Sequence, residues 1–332
     1  MDTFQALMVT KNGNETSLAF EKLTKNALPD GEVLIKVAYS GINYKDGLAT
    51  LADGKIVQTY PFIPGIDASG TVVESSDPAF QPNDPVIVTS YELGVSHFGG
   101  YSEYIRVPAS WVVPLPNGLT LKEAMIFGTA GFTAALSVDA LIQAGVKPTD
   151  GKIAVSGATG GVGSIAAAIL TKLGYHVTAA SGKKDAASFL GKLGIKEIVP
   201  RKSFQPEKIR ALDKMLYAGA IDAVGGNTLS YLLSATQYGG AVTTCGMAAG
   251  GKLDTTVFPF ILRGISLLGI DSVYCPYDKR VEIWEKLADA YHVEQMDALV
   301  QKINFTDLPT ALNKVTQGGI TGRYLVQIDA TL

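Results

Sequence analysis

The sequence predicts an α/β protein in which a mixed β unit precedes a doubly wound parallel sheet. Short strand-like runs dominate residues 1–120, whereas from about residue 121 short apolar runs alternate with helix-like stretches. Alternating strands and helices are typical of a parallel sheet with crossover helices. The length of 332 residues and the 47% hydrophobic composition fit two domains, each with a substantial core.

The first 120 residues carry several β-strand signals. VLIKVAYSGIN (33–43) begins with alternating apolar and polar residues, and YSEYIRVP (101–108) alternates as well. GTVVES (70–75) and PVIVTSYE (85–92) are Val-rich runs bounded by Gly, Pro and Asp. Such runs predict strands joined by turns, and together they predict a compact mixed β unit.

The pattern changes near Leu121, where apolar residues recur at helical spacing and Gly131 is expected to break the helix. The strands that follow are near-continuous apolar runs, as expected of a sheet covered on both faces. The predicted strands are 152–157, 176–181, 197–200, 220–225, 240–246 and 266–272, and the predicted helices are 162–173, 183–193 and 228–236.

After Ser272 the sequence predicts an amphipathic helix around 278–291 and a terminal apolar strand. A terminal strand must pair with another strand, so we expect the tail to return to the first domain. We therefore divide the chain into 1–122, 123–272 and 273–332.

Composition excludes several classes of protein. The net charge is −3 and no long basic run occurs, which argues against a nucleic-acid partner. Cys245 and Cys275 are too few and too far apart for a disulfide framework or a zinc cluster. No signal-peptide pattern is present, and apolar runs such as 165–170 are too short to span a membrane. We expect a soluble, cytoplasmic protein.

The segment Gly157–Gly163 follows a predicted strand and precedes a predicted helix. Glycines allow a tight turn and close approach of the backbone to a pyrophosphate, and the helix N-terminus supplies N–H donors. The spacing is G-x-x-G-G-x-G rather than the strict G-x-G-x-x-G, and alone it also fits an ordinary tight turn. Its position after the first strand of the β/α series favours a dinucleotide site.

The end of the second strand favours NADPH over NADH. NAD-binding proteins usually carry an acid there, which accepts a hydrogen bond from the ribose 2′-hydroxyl. This chain has Ser181-Gly182-Lys183-Lys184 instead, with Arg201 just past the third strand. A hydroxyl and cations attract a 2′-phosphate. The alternative is that these cations are ordinary solvated surface charges.

Six stretches of the chain resemble the medium-chain dehydrogenase/reductase superfamily, in its zinc-independent quinone oxidoreductase branch. Within that branch they resemble most the subgroup of acryloyl-CoA reductases and YhdH/YhfP-type quinone oxidoreductases. The stretches are GINYKD (41–46), PGIDASGTV (64–72), GTAGFTAALSV (128–138), SGATGGVG (156–163), IDAVGG (221–226) and PFILRGISLLGIDSVYCP (259–276).

The resemblance implies a GroES-like β catalytic domain (1–122), a Rossmann NADPH-binding domain (123–272), a C-terminal return to the catalytic domain (273–332) and a homodimer. It also implies cofactor-binding residues. The expected contacts are Tyr44 near the nicotinamide, Thr159, Gly160, Gly161 and Val162 at the pyrophosphate, Ser181, Gly182, Lys183 and Arg201 around the 2′-phosphate, and Met247, Ile261 and Ser272 on the remaining nicotinamide side.

The positions that hold catalytic zinc in metal-dependent relatives differ in this chain. It has Gly65-Ile66-Asp67 in place of Gly-His-Glu, Ile42-Asn43-Tyr44 in place of the early cysteine, and Gly128-Thr129-Ala130 in place of the third ligand. Catalytic zinc needs three protein ligands, and only Asp67 remains. We therefore expect no metal.

Without a metal, the acceptor of a hydride must already be electron-poor, such as a quinone, an enone or an α,β-unsaturated thioester. Asn43 and Tyr44 are the candidate catalytic donors to the developing oxyanion. Alternatively, Asn43 caps a turn and Tyr44 only packs on the cofactor. We expect structural roles for Asp46, Asp67 and Asp222.

Three functions remain open from the sequence. The first is NADPH-dependent reduction of an activated C=C bond of an enone or acryloyl-CoA-type thioester. The second is reduction of quinones by NADPH. The third is of another class, a non-catalytic NADPH-binding sensor. Lys45, Lys55 and Arg106 are candidates for contacting the phosphates of a CoA substrate.

Overall fold

The computed structural model describes residues 3–318 and 320–331. The chain forms two compact units. The first comprises the residues up to Thr129, Val273–Ala288 and the segment from Val300 onward; the second comprises Ala130–Ser272 and Asp289–Leu299. The chain thus leaves the second unit after Ser272 and re-enters it at Asp289. The boundaries after residues 122 and 272 stay predictions.

The first unit is built mainly of antiparallel strands. A two-stranded hairpin, β1–β2, lies beside a seven-stranded sheet of order β14-β15-β3-β4-β5-β7, in which β6 also pairs with β3. The strands are β1 Thr3–Asn12, β2 Glu15–Thr24, β3 Val33–Ile42, β4 Asp67–Ser75, β5 Pro85–Thr89, β6 Tyr104–Val107, β7 Val112–Pro114, β14 Val300–Asn304 and β15 Arg323–Gln327; the helices are α1 Tyr44–Ala49, α7 Tyr277–Ala288 and α9 Leu308–Thr316.

Strand β3 is buried on both of its faces. Because successive side chains of a strand point to opposite faces, Val33, Ile35 and Val37 enter one apolar cluster and Leu34 enters another. Complete burial of one such side chain stabilises a fold by roughly 1.5–3 kcal/mol. The strand is therefore a fixed platform for Asn43, which follows its last residue.

The C-terminal segment completes the sheet of the first unit. Strand β15 pairs antiparallel with β3, and β14 pairs parallel with β15. Helix α9 buries Leu308, Leu312 and Val315, which recur at the spacing of one helix face. The sequence did not predict β14 or the hairpin β1–β2, although the hairpin turn carries Asn12-Gly13-Asn14, residues typical of tight turns.

The second unit is a six-stranded sheet in which every pair is parallel, in the order β10-β9-β8-β11-β12-β13. This is the doubly wound arrangement, so the predicted α/β fold class is confirmed. The strands are β8 Lys152–Val155, β9 His176–Ser181, β10 Glu197–Pro200, β11 Tyr217–Asp222, β12 Thr236–Thr244 and β13 Ser266–Gly269; the helices are α3 Gly161–Lys172, α4 Ala186–Lys192, α5 Gly226–Ala235, α6 Phe258–Arg263 and α8 Met296–Leu299.

Helix α2, Leu121–Gln143, breaks at Gly128 and not at Gly131, so that prediction was wrong. Gly128 adopts φ 51°, a left-handed value that glycine reaches without steric cost. A Cβ at Gly128 would also collide with Asp67 and Arg323. Among the described helices, α2 alone has a length and apolar composition that could span a membrane, but 78% of its apolar segment is buried within the protein, as in a core helix.

Candidate functional site

The glycine turn of the second unit connects β8 to α3. Gly157 has φ +58°, and a Cβ on Gly163 would lie 2.5 Å from the Gly157 carbonyl oxygen. Both positions therefore require glycine. Helix α3 begins at Gly161 with Gly160 as its N-cap, so the first N–H groups of a twelve-residue helix face the turn. This backbone cradle fits a pyrophosphate.

The turn lies where the strand order reverses. Strand β8 has β9 on one side and β11 on the other, and the chain crosses to β11 only after completing β10. Ligands of doubly wound sheets bind at the carboxyl ends of the strands beside such a switch point. Thr159 of the turn is buried, and its hydroxyl lies 2.9 Å from the Ser181 hydroxyl at the end of β9.

Four of the residues predicted for the 2′-phosphate come together at the ends of β9 and β10. Pro200 pairs with Ser181 in the parallel register, which brings Arg201 beside the β9 terminus. The Arg201 guanidinium lies close to Gly182. A Cβ at Gly182 would be 3.0 Å from two of the guanidinium nitrogens. The Lys183 backbone N–H donates to the Ser181 hydroxyl (3.2 Å).

The charges at this corner favour an anion. Partial burial lowers the pKa of Lys183, and the nearby Arg201 cation lowers it further, while Asp185 opposes both effects. Two cations that disfavour each other are stabilised by an anion between them. Ser181, Gly182, Lys183 and Arg201 therefore form a basic corner suited to a phosphate monoester.

The loop between β11 and α5 borders the same turn and is fixed by Asp222. The Asp222 carboxylate accepts from the Ser156 hydroxyl (2.6 Å) and the Gly225 N–H (2.8 Å). Burial raises the pKa of Asp222. Asp222 therefore shapes the loop, as the sequence predicted.

The remaining predicted contacts lie in separate elements. Met247 follows β12 and is 74% exposed, Ile261 lies on α6 and is 69% exposed, and Ser272 ends the longer segment of the second unit. Their placement at a nicotinamide stays a prediction.

The first unit contains a buried polar network that begins at Asn43, the N-cap of α1. The Asn43 side-chain nitrogen donates to Asp67 (2.7 Å) and to Asp46 (3.2 Å), and its oxygen accepts from Arg323 (2.8 Å). Both amide hydrogens are thus directed at carboxylates. The alternative that Asn43 caps a turn matches this geometry, and its role as a donor to substrate stays a prediction.

Asp67 is the centre of the network and is fully buried. It accepts from the Thr129 N–H (3.0 Å) and the Thr129 hydroxyl (2.5 Å), and it forms an ion pair with Arg323 at 3.4 Å. A Cβ on Gly41 would lie 2.6 Å from the Arg323 guanidinium. Glycine at position 41 therefore lets the ion pair pack against the backbone.

Asp46 carries the most perturbed carboxyl of the network. Burial, and then the nearby negative charge of Asp67, raise the pKa of Asp46 to about 7. Hydrogen bonds from the backbone N–H groups of Asn43 (2.7 Å) and Ile66 (2.9 Å) partly oppose this shift. Because the network has one guanidinium, that of Arg323, for the two carboxyl groups of Asp46 and Asp67, Asp46 stays protonated up to about neutral pH.

The three segments that the resemblance aligns with zinc ligands are thus joined by this hydrogen-bonded network. Asn43 and Thr129 each donate a hydrogen bond to Asp67, and Arg323 supplies the positive charge of the network. Among the described residues, no group of three or more His, Cys, Asp or Glu is arranged to hold a metal ion. The donor set at these positions does not fit zinc.

Tyr44 is the first residue of α1 and is 58% exposed. It follows the rigid Asn43 directly, so the network fixes the backbone from which its hydroxyl projects. An exposed phenol whose backbone is held in place can donate a hydrogen bond to a ligand.

The sequence did not predict the role of Arg323, although this arginine begins the largely buried strand RYLVQ. An arginine that opens a buried strand is a signal that could have found it, because buried charges require partners. Asp46 and Asp67 were expected to be structural, and they are joined to the predicted Asn43.

His97, Arg106 and Cys245 make contacts within their own units. His97 stacks edge-on against Trp111 at 5.1 Å and bonds the Arg106 carbonyl oxygen. Arg106 pairs with Glu74 at 3.2 Å. Burial raises the pKa of the Cys245 thiol to about 12, so it is not a reactive thiolate near neutral pH.

Two family models match the chain. The Alcohol dehydrogenase GroES-like domain matches residues 29–117, and the Zinc-binding dehydrogenase model matches residues 161–290.

Close relatives cover nearly the whole chain. The YhfP protein of Bacillus subtilis, named as a candidate quinone oxidoreductase, is 52% identical over 98% of this chain and 99% of its own. The acrylyl-CoA reductase AcuI of Ruegeria pomeroyi is 44% identical over 98% of this chain and 100% of its own.

Solved structures agree with these matches. YhfP with NAD bound superimposes with a TM-score of 0.97 at 51% identity, covering 99% of this chain and 100% of that one. The YhdH oxidoreductase of Salmonella enterica in complex with NADP gives 0.95 at 43% identity, covering 98% and 100%.

Proposed function

The chain belongs to the medium-chain dehydrogenase/reductase superfamily, in the subgroup of YhfP, YhdH and AcuI, and from this premise we propose that it is an NADPH-dependent reductase of activated C=C bonds. The substrate class is an enone or an acryloyl-CoA-type thioester. The observation that carries the proposal is the hydrogen-bonded network of Asn43, Asp67 and Arg323, because Asn43 and Asp67 lie in segments where metal-dependent relatives are expected to hold zinc ligands. A site of this kind suits acceptors that are already electron-poor.

The cofactor is NADPH in this proposal. The glycine cradle fits a pyrophosphate, and Ser181, Lys183 and Arg201 form a basic corner without an acid at the end of β9. YhdH was solved with NADP and YhfP with NAD, so preference must be measured. A kinetic preference for NADH would contradict the assignment of the corner to a 2′-phosphate.

NADPH, when bound, supplies the hydride that adds to the β-carbon of the acceptor. Negative charge then gathers on the substrate carbonyl oxygen, where a fixed donor stabilises it. Tyr44 is the proposed donor because its hydroxyl projects from the rigid N-terminus of α1. Asn43, which is held by Arg323 and Asp67, is proposed to position Tyr44. The α-carbon takes a proton from Tyr44 or water.

The experiment follows NADPH absorbance with acryloyl-CoA, a simple enone and a quinone. Tyr44→Phe should lower turnover by roughly 10²-fold or more if the phenol acts as general acid, with NADPH affinity retained. Tyr39→Phe is the matched control, since Tyr39 lies buried in β3. Equal turnover of wild type and Tyr44→Phe would remove the donor role.

Quinone reduction is the second candidate function, favoured by the name of the 52% identical relative. It uses the same cofactor residues, and the acceptor panel separates the two activities. Tight NADPH binding with no turnover of any acceptor would favour the third hypothesis, a non-catalytic NADPH-binding sensor.

We also propose a cytoplasmic homodimer that binds neither nucleic acid nor membrane. Strand β13 is an edge strand, and the nearby helix α6 exposes apolar side chains. The exposed residues are Phe258, Ile261 and Leu262 on α6 and Val257 at its N-cap. An exposed apolar patch beside an open strand edge is typical of an interface between copies. Light scattering after size exclusion tests this, and a monomer would contradict it.

A further inference from the structure

The turn after β5 holds two consecutive residues in an unfavourable backbone conformation. Ser90 has φ 65° and Tyr91 has φ 50°, in the left-handed region that non-glycine residues seldom adopt. The turn directly follows Thr89, which pairs with Asp67 across β4 and β5. Such conformations persist only when surrounding contacts enforce them.

Arg280 of α7 supplies those contacts from a fully buried position. Its guanidinium lies 4.3 Å from the centre of the Tyr91 ring. It donates to the Tyr91 hydroxyl (3.2 Å), the Thr89 carbonyl oxygen (3.1 Å), the Thr89 hydroxyl (3.1 Å) and the Val273 carbonyl oxygen (3.0 Å). The planar fork thus binds the residues on both sides of Ser90 at once.

Ser90 connects this turn to the polar network. Its hydroxyl lies 3.1 Å from the Thr129 hydroxyl, which lies 2.5 Å from Asp67. The Asp67 carboxylate, paired with Arg323, only accepts hydrogen bonds. Thr129 therefore gives its one hydroxyl proton to Asp67 and must accept from Ser90. The order of donation is Ser90 to Thr129 to Asp67.

We propose that Arg280 is a positioning residue for the reductase reaction. It holds Ser90 in the left-handed conformation, and Ser90 in turn fixes Thr129 and Asp67, on which Asn43 and the N-terminus of α1 depend. In this scheme Arg280 acts on Thr129 and Asp67 through Ser90. The predicted effect of Arg280 on turnover rests on the proposed function, whereas its predicted effect on the polar network does not.

The structural arm measures hydrogen exchange at the Thr129 backbone amide, which donates to Asp67. Arg280→Met and Ser90→Ala should each speed this exchange. Lys279→Met, which removes a positive charge from the adjacent position of α7, is the control and should leave it unchanged. If Arg280→Met does not fold, Arg280→Lys and Tyr91→Phe weaken the same contacts more gently. Unchanged exchange at Thr129 in the folded variants would overturn the proposal.

The kinetic arm is a double-mutant cycle on NADPH-dependent turnover. Arg280→Met should lower kcat roughly 10-fold with the KM for NADPH unchanged, which corresponds to about 1.4 kcal/mol, the size of one hydrogen bond such as that between Ser90 and Thr129. Ser90→Ala should act similarly, and the double variant should be no worse than either single one. Multiplying effects, or an equal loss in Lys279→Met, would contradict action through Ser90.

The exchange and kinetic experiments distinguish failure of the proposed function from failure of the role proposed for Arg280. If the wild-type protein reduces no acceptor, the proposed function fails, while exchange at Thr129 still decides whether Arg280 positions the network. If the wild type is active and Arg280→Met leaves both exchange and kcat unchanged, only the role of Arg280 fails.

Discussion

Replacement of Arg323 by methionine should destabilise the first unit strongly. Arg323 is almost fully buried and donates to Ile126, Ile42, Asn43 and Asp67. Without it, the Asp67 carboxylate is buried with no balancing cation. Removal of one partner from a buried ion pair typically costs about 3–5 kcal/mol. Because the pair is separated by 3.4 Å, we expect the lower end, about 3 kcal/mol.

The assay is urea unfolding without cofactor, with a signal from the first unit such as Trp111 fluorescence. Arg106→Met is the matched control, because Arg106 pairs with the exposed Glu74, and an exposed pair contributes only about 0–1 kcal/mol. Asp67→Asn in the Arg323→Met background removes the orphaned charge and should restore part of the lost stability. A loss below about 1 kcal/mol in Arg323→Met, or no recovery in the double variant, would refute this account of the network.

Three further predictions concern the cofactor turn and pH. Arg201→Ala should raise the KM for NADPH roughly 10- to 100-fold, through loss of a charge-assisted bond of about 1.5–3 kcal/mol, with the KM for NADH unchanged. Gly163→Ala should weaken NADPH binding in calorimetric titration, because its Cβ would lie 2.5 Å from the Gly157 oxygen. Since the folded-state pKa of Asp46 is raised to about 7 from 3.8, the contribution of Asp46 to the unfolding free energy should be greatest below pH ~4 and fall by about 1.4 kcal/mol per pH unit towards pH ~7. The Asp46→Asn substitution should flatten that slope in unfolding titrations.

The outcomes that contradict these three predictions are distinct. They are equal losses of NADPH and NADH affinity in Arg201→Ala, unchanged NADPH affinity in Gly163→Ala, and the same pH slope in wild type and Asp46→Asn.

Local patterns made the second unit predictable. Its strands are short apolar runs, and β9 and β10 begin and end where the sequence placed them. The turn from Gly157 to Gly163 could be identified because its glycines lie close together in the sequence, between a predicted strand and a predicted helix. Packing decided the rest: the helix break lies at Gly128 because Asp67 and Arg323 leave no room for a side chain there.

The polar network was only half predictable. Asn43 and Asp67 could be identified because the resemblance places their segments where metal-dependent relatives hold zinc ligands, and Thr129 lies in the third such segment. Arg323 could not, because its bonds to Asn43 and Asp67 span 280 and 256 residues of chain. Only the pairing of β15 with β3 brings them together, and a single sequence carries no local signal for that register.

The most direct test of the central claim is hydride transfer to an activated double bond. The wild-type protein is incubated with acryloyl-CoA and NADPH deuterated at the transferable position, and the product thioester is examined by NMR. We predict one deuterium at the β-carbon of the saturated product for each NADPH consumed. A saturated product without deuterium, or no NADPH consumption with thioester or enone despite tight NADPH binding, would contradict the account.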